Sequence, residues 1–452
     1  MKVRLSNKSI FKVFNKRGWI IFSGQGLQES SSVILEEQSI PFCSCLSYEW
    51  QDIDTVVNYL MSIYVDVSYE TLKSDAINFY YSLAKLNMVE TKEDHELQLN
   101  PTEFLIEERE LTGDIKDFIG LRSVHIELTN RCNERCVHCY IPHQEKIKDM
   151  DDMTLNKILD EIESSSSVLS ISVSGGEPML HPRFIEVVKR LQSKPILLTI
   201  FTNLTVMTDD MLELFKRPLT KVQVSLYSMN ANVHDKVTTI SGSFNRTFNN
   251  IKKLLNNGVN IEIACPLMDV NISDNVDVYK WCLENNIHCR QDADIMAECD
   301  FCTSNLSHRP NNETLKNMFK KTLAEKSVNI NIEDVKREYN PETIVCGVGL
   351  NSVSVSANGD VCPCPSWAYI CGNVKDNTLS DILLKSPAFT KIRNIKRSDF
   401  KKCNGCDIRP FCHICFSKNA NENNGDYMKI TDHNCEITRL YYEALQEYCS
   451  EH

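Results

Sequence analysis

The sequence predicts an α/β protein: a parallel sheet of βα units, preceded by a small winged-helix-like module and followed by a cysteine-rich domain. Three observations predict it. Between Leu121 and Gln291, short apolar strands alternate with amphipathic helices, the pattern of a parallel sheet covered by its crossovers. The first 95 residues instead read as strands, then helices, then a closing strand. After Cys346 apolar periodicity weakens, turns multiply and cysteines dominate, so that region needs metal to hold it together.

In the first module, Trp19–Phe22 and Ser32–Leu35 are strand candidates separated by the Gly24/Gly26 turn region. A helix follows from Asp54 to Tyr64. A second runs from about Ser68 to Asn87, with Ser68 as N-cap and Leu72, Ala76, Phe79, Tyr80 and Leu83 on one face. Met88–Glu90 closes the module as a wing strand. Residues 96–117 are polar and acidic and read as a linker. The βα region spans 118–310, with strands expected at Ser123–Leu128, Leu169–Val173, Ile196–Phe201, Lys221–Leu226, Asn260–Ala264 and Ile287–Gln291. Such a succession forms either an open doubly wound sheet or a partial barrel, and both gather function at the carboxyl ends of the strands. Residues 311–345 bridge, through a helix at Asn311–Glu325, to the cysteine-rich domain at 346–452.

Composition narrows the function. Hydrophobic content of 42% and charged content of 24% over 452 residues are those of a globular protein of several domains. A net charge of −12 argues against nucleic acid or an anionic membrane as partner. The basic start lacks the apolar core of a signal peptide, and no apolar run is long enough to span a bilayer. The expected setting is therefore cytoplasmic, where 20 cysteines point to metal or redox chemistry rather than a disulfide framework.

The first cysteine knot, Cys132-x3-Cys136-x2-Cys139 with Tyr140 following, comes directly after the first strand of the βα series. Three thiolates on one short loop can hold three irons of a [4Fe–4S] cube and leave the fourth open, as catalytic metal sites do. The bland alternative is a three-cysteine zinc site. This knot on this pattern resembles the radical S-adenosylmethionine (radical SAM) superfamily, which implies a partial (β/α)6 barrel. It also implies SAM bound at the open iron and cleaved to a 5′-deoxyadenosyl radical. Gly175-Gly176-Glu177, after the second strand, is similar to the family's element for the methionyl amine; glycines permit close approach and a carboxylate meets an ammonium. The likeness further implies SAM contacts from Tyr140, Thr202-Asn203 and Ser225. Tyr227 stands where many relatives have Asp.

The later cysteines resemble the seven-cysteine SPASM domain, which carries two auxiliary [4Fe–4S] clusters. By order, the resemblance assigns Cys346, Cys364 and Cys415 to the first, and Cys403, Cys406, Cys412 and Cys435 to the second. Taken alone, Cys403–Cys415 also fits a zinc ribbon. Cys362 is off pattern. Cys299-x2-Cys302 is a candidate to fold back as a missing fourth ligand. The amino-terminal module resembles the leader-recognition element of ribosomal-peptide modifying enzymes, which takes a substrate strand at a sheet edge; DNA binding or a structural role is its alternative.

Together these likenesses imply a peptide maturase with three [4Fe–4S] clusters and SAM, a precursor peptide held by its leader, and an electron donor such as flavodoxin or ferredoxin. The expected reaction is a cysteine thioether crosslink. Carbon–carbon crosslinking or epimerisation by the same chemistry is the alternative, and a non-catalytic Fe–S or zinc regulator is the alternative of a different class.

Overall fold

The structure is a computed structural model that describes residues 1–14, 16–28, 30–92, 106–107, 119–142, 148–325, 332–336 and 340–451. It begins with strands β1 (Lys2–Leu5), β2 (Ser9–Phe14), β3 (Arg17–Phe22) and β4 (Ser31–Leu35). Helix α1 (Ile40–Ser44), strand β5 (Gln51–Asp52) and helices α2 (Ile53–Met61) and α3 (Tyr69–Lys85) follow, then β6 (Val89–Lys92) and β7 (Ile106–Glu107). Ser68 caps α3 as expected, accepting from the Thr71 amide. The apolar faces of α2 and α3 share one buried core with Val3 and Leu5 of β1. Strands β5-β1-β6 form one antiparallel sheet and β2-β3-β4-β7 a second. Neither β1 nor β2 was expected. The 96–117 linker lies outside the described residues except for β7, which pairs with β4.

The second sheet has a structural task. Ile10, Trp19 and Ile34 bury against Leu169 of the βα region. The Arg122 guanidinium lies 3.8 Å from the Trp19 ring centroid, and Lys12 Nζ reaches the Val168 carbonyl at 2.6 Å. The amino-terminal module therefore packs against the βα sheet rather than hanging from a tether.

All six expected strands of the βα region form. In chain order its elements are β8 (Ser123–Thr129), α4 (Asp152–Ser164), β9 (Ser170–Gly175), α5 (Phe184–Leu191), β10 (Leu197–Thr202), α6 (Asp209–Phe215) and β11 (Thr220–Ser225). Then come α7 (Ala231–Thr238), α8 (Ser243–Asn256), β12 (Asn260–Ala264), α9 (Asn275–Glu284) and β13 (His288–Arg290). Each strand pairs in parallel with the next. Alternate residues explain the two faces: Ile126, Val173 and Ile200 pack under the helices. His125, Ser172 and Thr199, on one register line, face the other way.

Helices α10 (Asn312–Glu325) and α11 (Ile332–Val335) lead to β14 (Ser352–Val355), β15 (Asp360–Cys362) and β16 (Gly372–Asn373). Strand β14 joins β8 in parallel, so the sheet reaches nine strands in the order β13-β12-β11-β10-β9-β8-β14-β15-β16. The cysteine-rich part is thus fastened to the strand that precedes the first cysteine knot. Helices α12 (Leu379–Lys385), α13 (Pro387–Arg393), α14 (Phe416–Glu422) and α15 (Asp432–Glu451) complete it. The 20-residue α15, not foreseen from sequence, packs along α10 through Leu323, Ala444 and Leu445. Among the described residues no helix is long and apolar enough to cross a membrane.

Candidate active site

The residues expected at the strand ends converge. The Cys132–Cys139 loop leaves the carboxyl end of β8 and is pinned to α7, where the Arg135 and Val137 amides donate to the Thr238 and Val237 carbonyls at 3.0 Å each. Gly175 and Gly176 bring the end of β9 against this loop. The Gly176 amide donates to Thr129 O at 2.7 Å and the Glu177 amide to Arg131 O at 2.8 Å. A Cβ on Gly175, whose φ is +132°, would lie 2.1 Å from Thr129 O, and one on Gly176 2.3 Å from Arg131 O. Only glycine permits that approach.

Glu177 is fully buried. Its carboxylate accepts from Thr202 Oγ1 at 2.9 Å, from the Asn203 amide at 2.8 Å and from the Met179 amide at 3.1 Å. Burial nevertheless pushes its pKa up to about 7. Asn203 Nδ2 donates to Asn133 Oδ1 at 2.9 Å and approaches Cys132 Sγ at 3.9 Å. Ser225, at the end of β11, lies beside the Tyr227 phenol. That phenol donates to Cys136 Sγ at 3.5 Å. Burial, then the neighbouring Glu134 carboxylate and the other two thiols, hold the Cys136 thiol well above its usual range. The charge of a bound metal would reverse that preference. Sequence reasoning did not single out Glu134, which is buried, bonded to Ser243 Oγ and raised to about 7 by burial.

Tyr140 sits on the far side of the loop. Its hydroxyl donates to Glu127 Oε1 at 3.5 Å, and both residues line a cavity of about 140 Å³ together with Cys299, Cys362 and Cys364. The Cys299 amide donates to the Tyr140 carbonyl at 2.9 Å. This cavity lies between the first knot and the cysteine-rich part.

Among the described residues the later cysteines lie in two groups. Cys346, Cys364 and Cys415 are mutual electrostatic neighbours, and burial raises the Cys364 thiol to about 12. Cys299 lines the cavity that Cys364 also lines, and Cys362 has both Cys371 and Cys364 as electrostatic neighbours. Cys403, Cys406, Cys412 and Cys435 line one cavity of about 220 Å³. Cys412 accepts from Asn434 Nδ2 at 3.4 Å and Thr438 Oγ1 at 3.5 Å. Among the described residues, no three His, Cys, Asp or Glu side chains converge closely enough to hold a single metal ion. Four thiols spread around a cavity suit a cluster, whose ligands bind separate irons.

Sequence comparison agrees with this geometry. The radical SAM superfamily profile matches residues 126–282, and that of the SPASM iron–sulfur cluster-binding domain matches 346–407. The chain thus carries a radical SAM domain at residues 126–282 and a SPASM domain at 346–407. It is 25% identical over 383 residues to the antilisterial bacteriocin subtilosin biosynthesis protein AlbA of Bacillus subtilis (strain 168), covering 78% of this chain and 79% of that one. It is also 25% identical over 351 residues to the tungsten-containing aldehyde ferredoxin oxidoreductase cofactor-modifying protein of Pyrococcus furiosus, covering 70% of this chain and 92% of that protein. In fold it resembles Streptococcus suis SuiB bound to its precursor peptide SuiA, with a TM-score of 0.66, 16% identity and coverage of 96% and 100%.

Proposed function

We propose that this protein is a peptide maturase that forms a thioether crosslink from a cysteine of a ribosomally made precursor. The observation that carries the reading is the cavity shared by Tyr140, Cys299 and Cys364. One peptide segment placed there would lie between the Cys132–Cys139 loop and the Cys346/Cys364/Cys415 set. The subtilosin biosynthesis relative and the SuiB fold, solved with a precursor peptide, support a peptide substrate.

Cys132, Cys136 and Cys139 would hold the radical cluster, with Glu177 and Asn203 beside it to orient SAM. Such a cluster with SAM supplies a 5′-deoxyadenosyl radical that takes hydrogen from a substrate carbon. Cys403, Cys406, Cys412 and Cys435 would hold a second cluster with every iron ligated, and Cys346, Cys364 and Cys415 a third. Those three thiols leave one ligand position of a cube for the substrate cysteine. Residues 1–95 would hold the leader, with an electron donor such as flavodoxin or ferredoxin as second partner.

The test is anaerobic reconstitution with SAM, dithionite and the precursor encoded beside the gene. The expected product has lost two hydrogens and one alkylatable thiol. A loss of two hydrogens with every thiol still alkylatable favours a carbon–carbon link instead, and an unchanged mass with an inverted centre favours epimerisation. Zinc without iron in the reconstituted protein would remove the enzyme reading. The expected content is about twelve irons per chain, four for each of three clusters.

A further inference from the structure

The cavity that holds Cys403, Cys406, Cys412 and Cys435 is ringed by basic side chains. Arg397, Lys402, Arg409 and Arg439 line it together with the four thiols, and among the described residues no acidic side chain does. The surrounding stretch 391–409 contains seven basic residues against two acidic ones, in a chain of net charge −12. Lys402 and Arg439 of this collar are exposed, as is Lys401 at its edge, next to Lys402 in the chain. Lys402 pairs with Asp432, whose side chain is 99% exposed, and a pair so exposed is weak and readily exchanged. Cations placed this close to a thiol set also lie one side chain from solvent, where a second protein can approach.

We propose that this basic collar docks an acidic one-electron carrier protein, which exchanges electrons with the cluster held by these four cysteines. Opposite charge on the two faces steers the encounter and lowers its rate as salt rises. The thiols at the centre favour an electron carrier over another polyanion, because they place a redox group at the middle of the contact. In the transfer, the carrier's flavin hydroquinone loses one electron and becomes a semiquinone, and the cluster gains that electron. No bond is made or broken. The inference rests on the iron–sulfur reading of this cavity, but not on which peptide is modified.

The experiment mixes an acidic flavodoxin, reduced to its hydroquinone, with the fully reconstituted protein in a stopped-flow instrument at several salt concentrations. The wild-type rate should fall steeply with salt. A Lys401→Glu/Arg439→Glu variant should transfer at least about tenfold more slowly at low salt and lose the salt dependence. Its iron content and its dithionite-driven SAM cleavage should be unchanged. Reversal of Lys252 and Lys253, on α8, should change nothing. A wild-type rate in the collar variant overturns the proposal, as does an equal loss in the α8 variant. If the double reversal loses iron, the Lys401→Gln/Arg439→Gln pair is read by the same criteria. Failure of the peptide reading would look different: normal electron transfer with an unmodified precursor.

Discussion

The Tyr227 phenol donates a hydrogen bond to the Cys136 thiol across 3.5 Å, linking the end of β11 to the knot that follows β8. A donor to a cluster thiolate stabilises the more negative, reduced state and raises the potential.

Tyr227→Phe should therefore make the radical cluster harder to reduce. On the order of 1 kcal/mol of lost preference corresponds to a shift of tens of millivolts, since ~59 mV is tenfold for one electron. Redox-poised electron paramagnetic resonance reads it directly. An unshifted midpoint would mean that the phenol only fills space between His138 and His234, whose rings flank it at 5.2 Å.

Cys412 likewise accepts hydrogen bonds, from both Asn434 and Thr438 on α15. Asn434 is itself held by Lys418 Nζ at 2.7 Å. With Cys132, Cys136 and Cys139 replaced by alanine, about eight irons should remain, four in each auxiliary cluster, and SAM cleavage should vanish. In that background Thr438→Val should lower the potential of one auxiliary cluster and leave the other in place.

If Glu177 meets the methionyl ammonium as proposed, SAM binding should depend on pH. Burial raises its carboxyl to about 7, so it is neutral below that pH and charged above it. Only the charged form attracts the methionyl ammonium, so SAM affinity should rise between pH 6 and pH 8, by up to about tenfold. Equilibrium dialysis across that range should show a flat, weaker profile for Glu177→Gln.

Trp19→Ala should destabilise the βα region although Trp19 belongs to the amino-terminal module. Trp19 is 4% exposed and stacks on Arg122, so truncation should cost about 3–5 kcal/mol. Thermal unfolding should then shift in a single transition. Two transitions, with the upper one unmoved, would mean that the module unfolds independently of the sheet.

Much of this was legible in the residues themselves. The six parallel strands followed from periodicity, because each repeats a local pattern whose period is set by the backbone. The Ser68 cap and the α3 face were local in the same way. Strand β1 was not, since Lys2–Leu5 owes its pairing to β6, far along the chain, whereas β2 pairs with its sequence neighbour β3 and was missed although its partner is local. Helix α15 was hidden behind the cysteines, and its burial depends on α10, more than a hundred residues earlier.

The sequence by itself carried the local motifs: thiols at cluster spacing after a strand, two glycines before a glutamate, and the order in which seven later cysteines occur. Those are features of short segments, where covalent geometry limits what a loop can hold. Only the tertiary structure decided which groups meet. It set Tyr227 on Cys136, joined β14 to β8, packed the amino-terminal sheet against the βα region, and placed Cys299 and Cys364 on one cavity. Each of these joins residues distant in the chain, and such contacts are chosen by the packing of whole elements, which no local pattern encodes.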